Sequence, residues 1–114
     1  MRDQQERILD MLEAIERIER YAAKGRGEFE KDELIQTWMV HHLQIVGEAA
    51  AKLGREFHEQ HSLIPWPQVV AMRNVLIRDY FGIDLGEVWR VIERDLPELK
   101  RKLERLTDEA EKNK

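Results

Sequence analysis

Apolar residues recur at three- and four-residue intervals along most of this chain, and nowhere do they alternate with period two. Ile8, Met11, Leu12, Ile15, Ile18 and Ala22 make one such stripe, the spacing that gathers side chains on one side of an α-helix. Leu34, Ile35, Trp38, Met39, Leu43, Val46, Ala50 and Leu53 make a second. Leu85, Val88, Trp89 and Ile92 make another, and Leu99, Leu103 and Leu106 continue it. Faces patterned in this way are buried by packing helix on helix, so the expected fold is all-α, a bundle of four to five helices.

Punctuation sets the expected boundaries. Gly25 and Gly27 end the first helix. Asp32 is a good N-cap for a second, which runs to Gly54. The stretch "PWP" at 65–67 breaks the chain and starts a third helix over Gln68–Phe81, with Gly82 suited to end it in the left-handed conformation. Asp84 and Glu87 have capping-box spacing for a fourth helix. Pro97 cannot donate within a helix, which places a kink or restart near Asp95. The tail "DEAEKNK" is charged and expected to fray after about residue 107. With no repeat and no long linker, residues 1–114 read as a single domain, large enough to bury a core.

Composition narrows the function classes. Lys and Arg number 19 against 23 Asp and Glu, a net charge of −4, so nothing suggests the broad basic surface of bulk nucleic-acid binding; any RNA contact needs a local cluster. Without cysteine there is no disulfide, thiolate metal site or cysteine nucleophile. No signal-peptide or membrane-spanning stretch is visible, and a cytoplasmic location is expected. Adjacent His41 and His42 point to different faces of their helix. His58 and His61 in "HEQH" are one residue short of the zincin spacing and read as loop-packing residues. Trp38, Trp66 and Trp89 read as core or interface anchors, and the six glycines form no phosphate loop. Neither a metal nor a cofactor is expected.

The third helix is unusual. Val69, Arg73, Ile77 and Tyr80 share one sector, Met72, Val75, Leu76 and Asp79 cover the other flank, and only Asn74 and Arg78 make a polar edge. A helix apolar nearly all round is buried on most sides; in a short chain one of those sides suits a second copy, and a two-fold homodimer is expected. Arg73 within that apolar run needs a partner or an outlet for its charge.

From "KDELIQTW" through "HHLQIVGEAAAKL", "IPWPQVVAMRNVLIRDYFGIDLGEVW" and "DLPELK", over roughly residues 30 to 103, the chain resembles the HepT-like proteins of the HEPN superfamily. The resemblance implies a small helical HEPN bundle, usually dimeric. It also implies a metal-independent endoribonuclease acting on RNA, a toxin paired with a minimal nucleotidyltransferase antitoxin that attaches AMP to a tyrosine. In the family pattern an arginine is followed by a polar residue and, further on, by a histidine and then the modified tyrosine. On this sequence these positions are Arg73, Asn74, residue 78 and Tyr80. Glu48, in "GEA", matches a recurrent family segment and is a candidate to line the cleft, as is Asp79.

Residue 78 departs from the pattern: the expected histidine is Arg78. Metal-free cleavage needs a base for the 2′-hydroxyl proton and an acid for the leaving oxygen. Histidine serves both near neutrality, whereas arginine stays protonated and keeps only phosphate binding and charge stabilisation. Two functions follow from these residues. One is the endoribonuclease toxin, for which Arg73-Asn74 and Tyr80 speak. The other is a catalytically inactive dimer that binds the nucleotidyltransferase, for which Arg78 speaks.

Overall fold

The computed structural model describes residues 3–74 and 84–112, and within them it is an all-α bundle. Helix α1 (Gln4–Ala22) begins where the Asp3 carboxylate accepts the Glu6 N–H at 2.8 Å, and its buried face of Ile8, Met11, Ala14, Ile15 and Ile18 lies along α3. α3 (Glu33–Gln60) is capped by Asp32, whose carboxylate accepts the Leu34 N–H at 2.9 Å and the Ile35 N–H at 3.4 Å. That cap turns Ile35 inward and leaves Leu34 81% exposed, so Leu34 is not part of the buried stripe to which its spacing assigned it.

A short helix, α2 (Arg26–Lys31), stands where a simple turn was expected. Gly25 makes the break alone, at φ 93°, and Gly27 lies inside α2 instead of ending α1. Two features hold so short a helix: Phe29, 1% exposed, packs on Trp89 with ring centroids 5.4 Å apart. The Gln36 amide donates to the Phe29 and Glu30 carbonyls at 3.0 and 3.2 Å, satisfying acceptors that a helix end leaves open.

Gly54 does interrupt α3, at φ 87°, but helical backbone resumes and reaches Gln60. Phe57 is thereby brought into the core. His58 donates to the Ala50 carbonyl at 2.7 Å and stacks on Trp66, and the Trp66 indole N–H donates to the His61 carbonyl at 2.9 Å. These contacts anchor α4 (Trp66–Ala71), which starts two residues earlier than expected because Pro67 is tolerated in a first turn. Past Ala71 the backbone tightens. The amides of Met72, Arg73 and Asn74 donate to the carbonyls three residues back, at 3.1, 3.2 and 2.9 Å. At 72–74 turns stand where the expected helix would continue; its remainder over 75–81, with Gly82, falls outside the described residues.

α5 (Leu85–Arg90), a π-helical turn over Val91–Asp95 and α6 (Leu96–Lys112) form one rod with unbroken helical backbone. Asp84 caps it, accepting the Glu87 N–H at 3.0 Å, while the Glu87 carboxylate turns to Arg90. The kink expected near Asp95 is this π turn: the Leu96 N–H reaches back five residues to Val91, and Pro97 follows without a donor. Helical backbone continues through the charged segment to Lys112, with Leu96, Leu99 and Leu103 buried. Among the described residues no helix is long and apolar enough to cross a membrane.

Two substitutions test this packing. Phe29→Ala removes the fully buried ring that ties α2 to the rod and should cost about 3–5 kcal/mol. Leu34→Ala, on an open surface, should stay within about 0.5 kcal/mol. Urea denaturation of both variants checks the contrast, and equal losses would place Leu34 in a packed interface.

Candidate active cleft

α3 and the turn after α4 approach each other closely at Gly47. A Cβ built there would stand 2.5 Å from the Arg73 backbone nitrogen, 2.7 Å from the Arg73 Cβ and 3.0 Å from its Cα. Only hydrogen fits in that space, so the sequence "VGEA" leaves a socket for the Arg73 backbone. The socket fixes where the Arg73 side chain starts. It is half-buried and lines an open cleft of 480 Å³ with Glu48, Gln44, His41 and Lys52 from α3. Arg7 and Asp10 of α1 form the facing wall, and Ile45 and Ala49 complete the lining.

The α3 residues form a row. Positions 41, 44, 48 and 52 are three or four apart, neighbours on a helix surface, and His41, Glu48 and Lys52 are exposed. His42, one residue on from His41, faces inward. It is 3% exposed, its Nδ1 lies 2.7 Å from the Trp38 carbonyl oxygen and its ring packs on Trp38. Burial pushes the His42 pKa below its ordinary value against that hydrogen bond, and the nearby His41 and Arg17 lower it further. His42 is a neutral core residue, and His41 is the one that opens on the cleft.

Arg73 and Glu48, both read from the sequence as site residues, thus line one cleft. Asn74 is the next residue along and is exposed. Arg78, Asp79 and Tyr80 lie outside the described residues. Sequence reading missed His41, Gln44 and Lys52 of α3 and Arg7 and Asp10 of α1 as parts of this cleft. The available signal was their helical spacing relative to Glu48. His58 and His61 pack on Trp66 and Phe57. The three tryptophans are anchors: Trp38 donates to the Arg17 carbonyl at 2.8 Å, Trp66 to His61 and Trp89 to Glu93 at 3.0 Å. Among the described residues no cluster of three or more His, Asp or Glu is arranged to hold a metal ion.

A cleft presenting a half-buried arginine beside a carboxylate and an imidazole can grip a phosphate and move protons around it. Comparison with known proteins agrees in class: residues 11–106 match the family described as Ribonuclease HepT-like. The chain belongs to the HepT-like ribonuclease family. It is similar, at 40% identity over 91% of its length, to a Methanocaldococcus jannaschii protein named "Gamma-glutamylcyclotransferase and putative RNase", of which it spans 47%. It is 36% identical over 89% of its length to a "Putative RNase" of Caldanaerobacter subterraneus subsp. tengcongensis, covering 88% of that protein. It is also 36% identical over 92% of its length to the "Probable ribonuclease HepT" of Thermococcus cleftensis, covering 96% of it. No solved structure matches the chain.

The socket is testable. In an open helix Gly→Ala stabilises by about 1 kcal/mol. Gly47→Ala should instead destabilise this HepT-like protein by about 1–3 kcal/mol, since a new methyl meets backbone that must move. Thermal unfolding reads the sign, and a raised Tm would show that Arg73 is not seated there.

Proposed function

We propose that this chain is the toxin of a toxin–antitoxin pair, a homodimeric, metal-independent endoribonuclease that acts on RNA in the cytoplasm. The observation that carries the reading is Arg73, held by its backbone on Gly47 and lining a cleft with Glu48 in a chain of the HepT-like ribonuclease family. In this reading Arg73 binds the scissile phosphate and Asn74 orients the group that follows. Arg78 stands where a histidine would transfer protons, and it keeps only the electrostatic part of that role. The partner is a minimal nucleotidyltransferase antitoxin that places AMP on Tyr80, where a bulky anion would block the cleft and repel RNA.

A second reading is favoured by Arg78 itself. With no titrating group at that position, the chain would serve as an inactive dimer that binds the nucleotidyltransferase. An RNA-cleavage assay separates the two. Loss of general acid–base help costs about 10²–10⁴-fold in rate, so the chain as it stands should cut weakly. Arg78→His should raise cleavage by that factor without added metal, leave 2′,3′-cyclic phosphate ends and harm a host lacking the antitoxin. A folded, dimeric Arg78→His protein that cuts no cellular RNA would exclude the ribonuclease reading.

The modification has its own test. Co-expression with the cognate nucleotidyltransferase should add AMP to the peptide containing Tyr80, in this chain or in its Arg78→His form. Adenylate found by mass spectrometry only on other peptides, or equal labelling of Tyr80→Phe, would refute that assignment.

A further inference from the structure

We propose that in this chain His41 and Glu48 carry the proton transfers of RNA cleavage, His41 as the acid and Glu48 as the base, with Arg73 on the phosphate. The proposal rests on the ribonuclease reading and concerns how a site with arginine at position 78 can still turn over. Three observations carry it. His41 and Glu48 are both exposed and both line the cleft that Arg73 enters. They stand seven residues apart on one face of α3, two turns or about 10 Å along the axis, a spacing whose side chains can reach opposite sides of one phosphodiester. Arg73 meets α3 at Gly47, directly beside Glu48, so its guanidinium and the carboxylate start from the same level of the helix.

The step balances without a further reactant. The Glu48 carboxylate takes the proton of the ribose 2′-hydroxyl, and the 2′-oxygen forms a bond to phosphorus. The bond from phosphorus to the 5′-oxygen breaks, and the His41 imidazolium gives its proton to that leaving oxygen. The products are a 2′,3′-cyclic phosphate and a 5′-hydroxyl, and proton exchange with water restores both side chains. Arg73 offsets charge on the non-bridging oxygens throughout.

The surroundings of the pair are mixed in sign. Asp10, Glu13 and Arg17 of α1 share recesses with His41, alongside His42 on its own helix. Arg7 and Asp10 of α1, Lys52 on the next turn and Arg73 share the cleft with Glu48. No single sign prevails among them.

The experiment measures cleavage of total cellular RNA by the full chain and by His41→Ala, Glu48→Gln, Arg73→Ala and Arg78→His, alone and combined, with circular dichroism and light scattering on each. His41→Ala and Glu48→Gln should each lower the weak basal rate by about 10²–10⁴-fold. Adding Arg78→His to His41→Ala should restore cleavage, because the chain then carries an imidazole at the family's motif position instead. The proposal is overturned by an unchanged rate in His41→Ala, by a loss that Arg78→His fails to restore, or by a basal rate no higher than that of Arg73→Ala. If the basal chain is inert while Arg78→His cuts, this proposal falls and the ribonuclease reading stands; if Arg78→His is inert too, both fall.

Discussion

The contact between Gly47 and the Arg73 backbone is the constraint on which the rest of the cleft depends. Two backbones approach this closely only where one has no side chain, and the space at Gly47 would not admit even a methyl group. The turn that meets it is held from both ends. Trp66, bound to the His61 carbonyl and stacked on His58, fixes the start of α4, while Val69 and Met72 are buried along it. Burial of each such side chain is worth about 1.5–3 kcal/mol. Arg73 is therefore carried to the cleft by apolar packing and close backbone contact, apart from the work its charge does there.

That separation matters for the chemistry. A half-buried guanidinium facing water is screened and adds little stability through any ion pair it makes. Its worth lies in the position it gives a permanent positive charge. The catalytic duties of a metal-free ribonuclease divide in the same way into charge stabilisation and proton transfer. An arginine supplies the first at any working pH, and only a group that titrates supplies the second.

The fold was legible wherever one helix face was buried. The stripes of α1, α3 and α6 read directly, and so did the caps at Asp32 and Asp84, because caps and stripes are local. Leu34 failed because the cap itself set the rotation of the first turn, leaving a residue with core spacing in solvent. α2 was missed because six residues carry too little periodicity; its stability comes from Phe29 against Trp89 and from Gln36 closing its end, contacts made at a distance in sequence. Gly54 looked like an end and proved a kink, since a glycine can bend a helix whose later residues, Phe57 above all, still have a core to reach. Arg73 and Glu48 were singled out from local motif, but their sharing a cleft with His41 was not legible there. It required knowing which residue of α3 lies beneath the turn, and glycine's role there is visible only in three dimensions.

Placing most of the polar groups on α3 has a consequence for how such a site can vary. A row at positions 41, 44, 48 and 52 rides on a rigid helix whose other faces are fixed by α1 and the core, so the separation between its members does not depend on the turn after α4. Arg73 belongs to that turn, and its register against the row is set at Gly47 and by the packing of α4. Geometry and chemistry are then controlled by different residues. The socket decides where the Arg73 charge stands, and the exposed row decides which polar groups share the cleft with it. Exposed polar residues are exchanged at little cost in stability, whereas the socket tolerates nothing larger than glycine. A fold built this way can alter the polar groups of its cleft while the arginine stays in place.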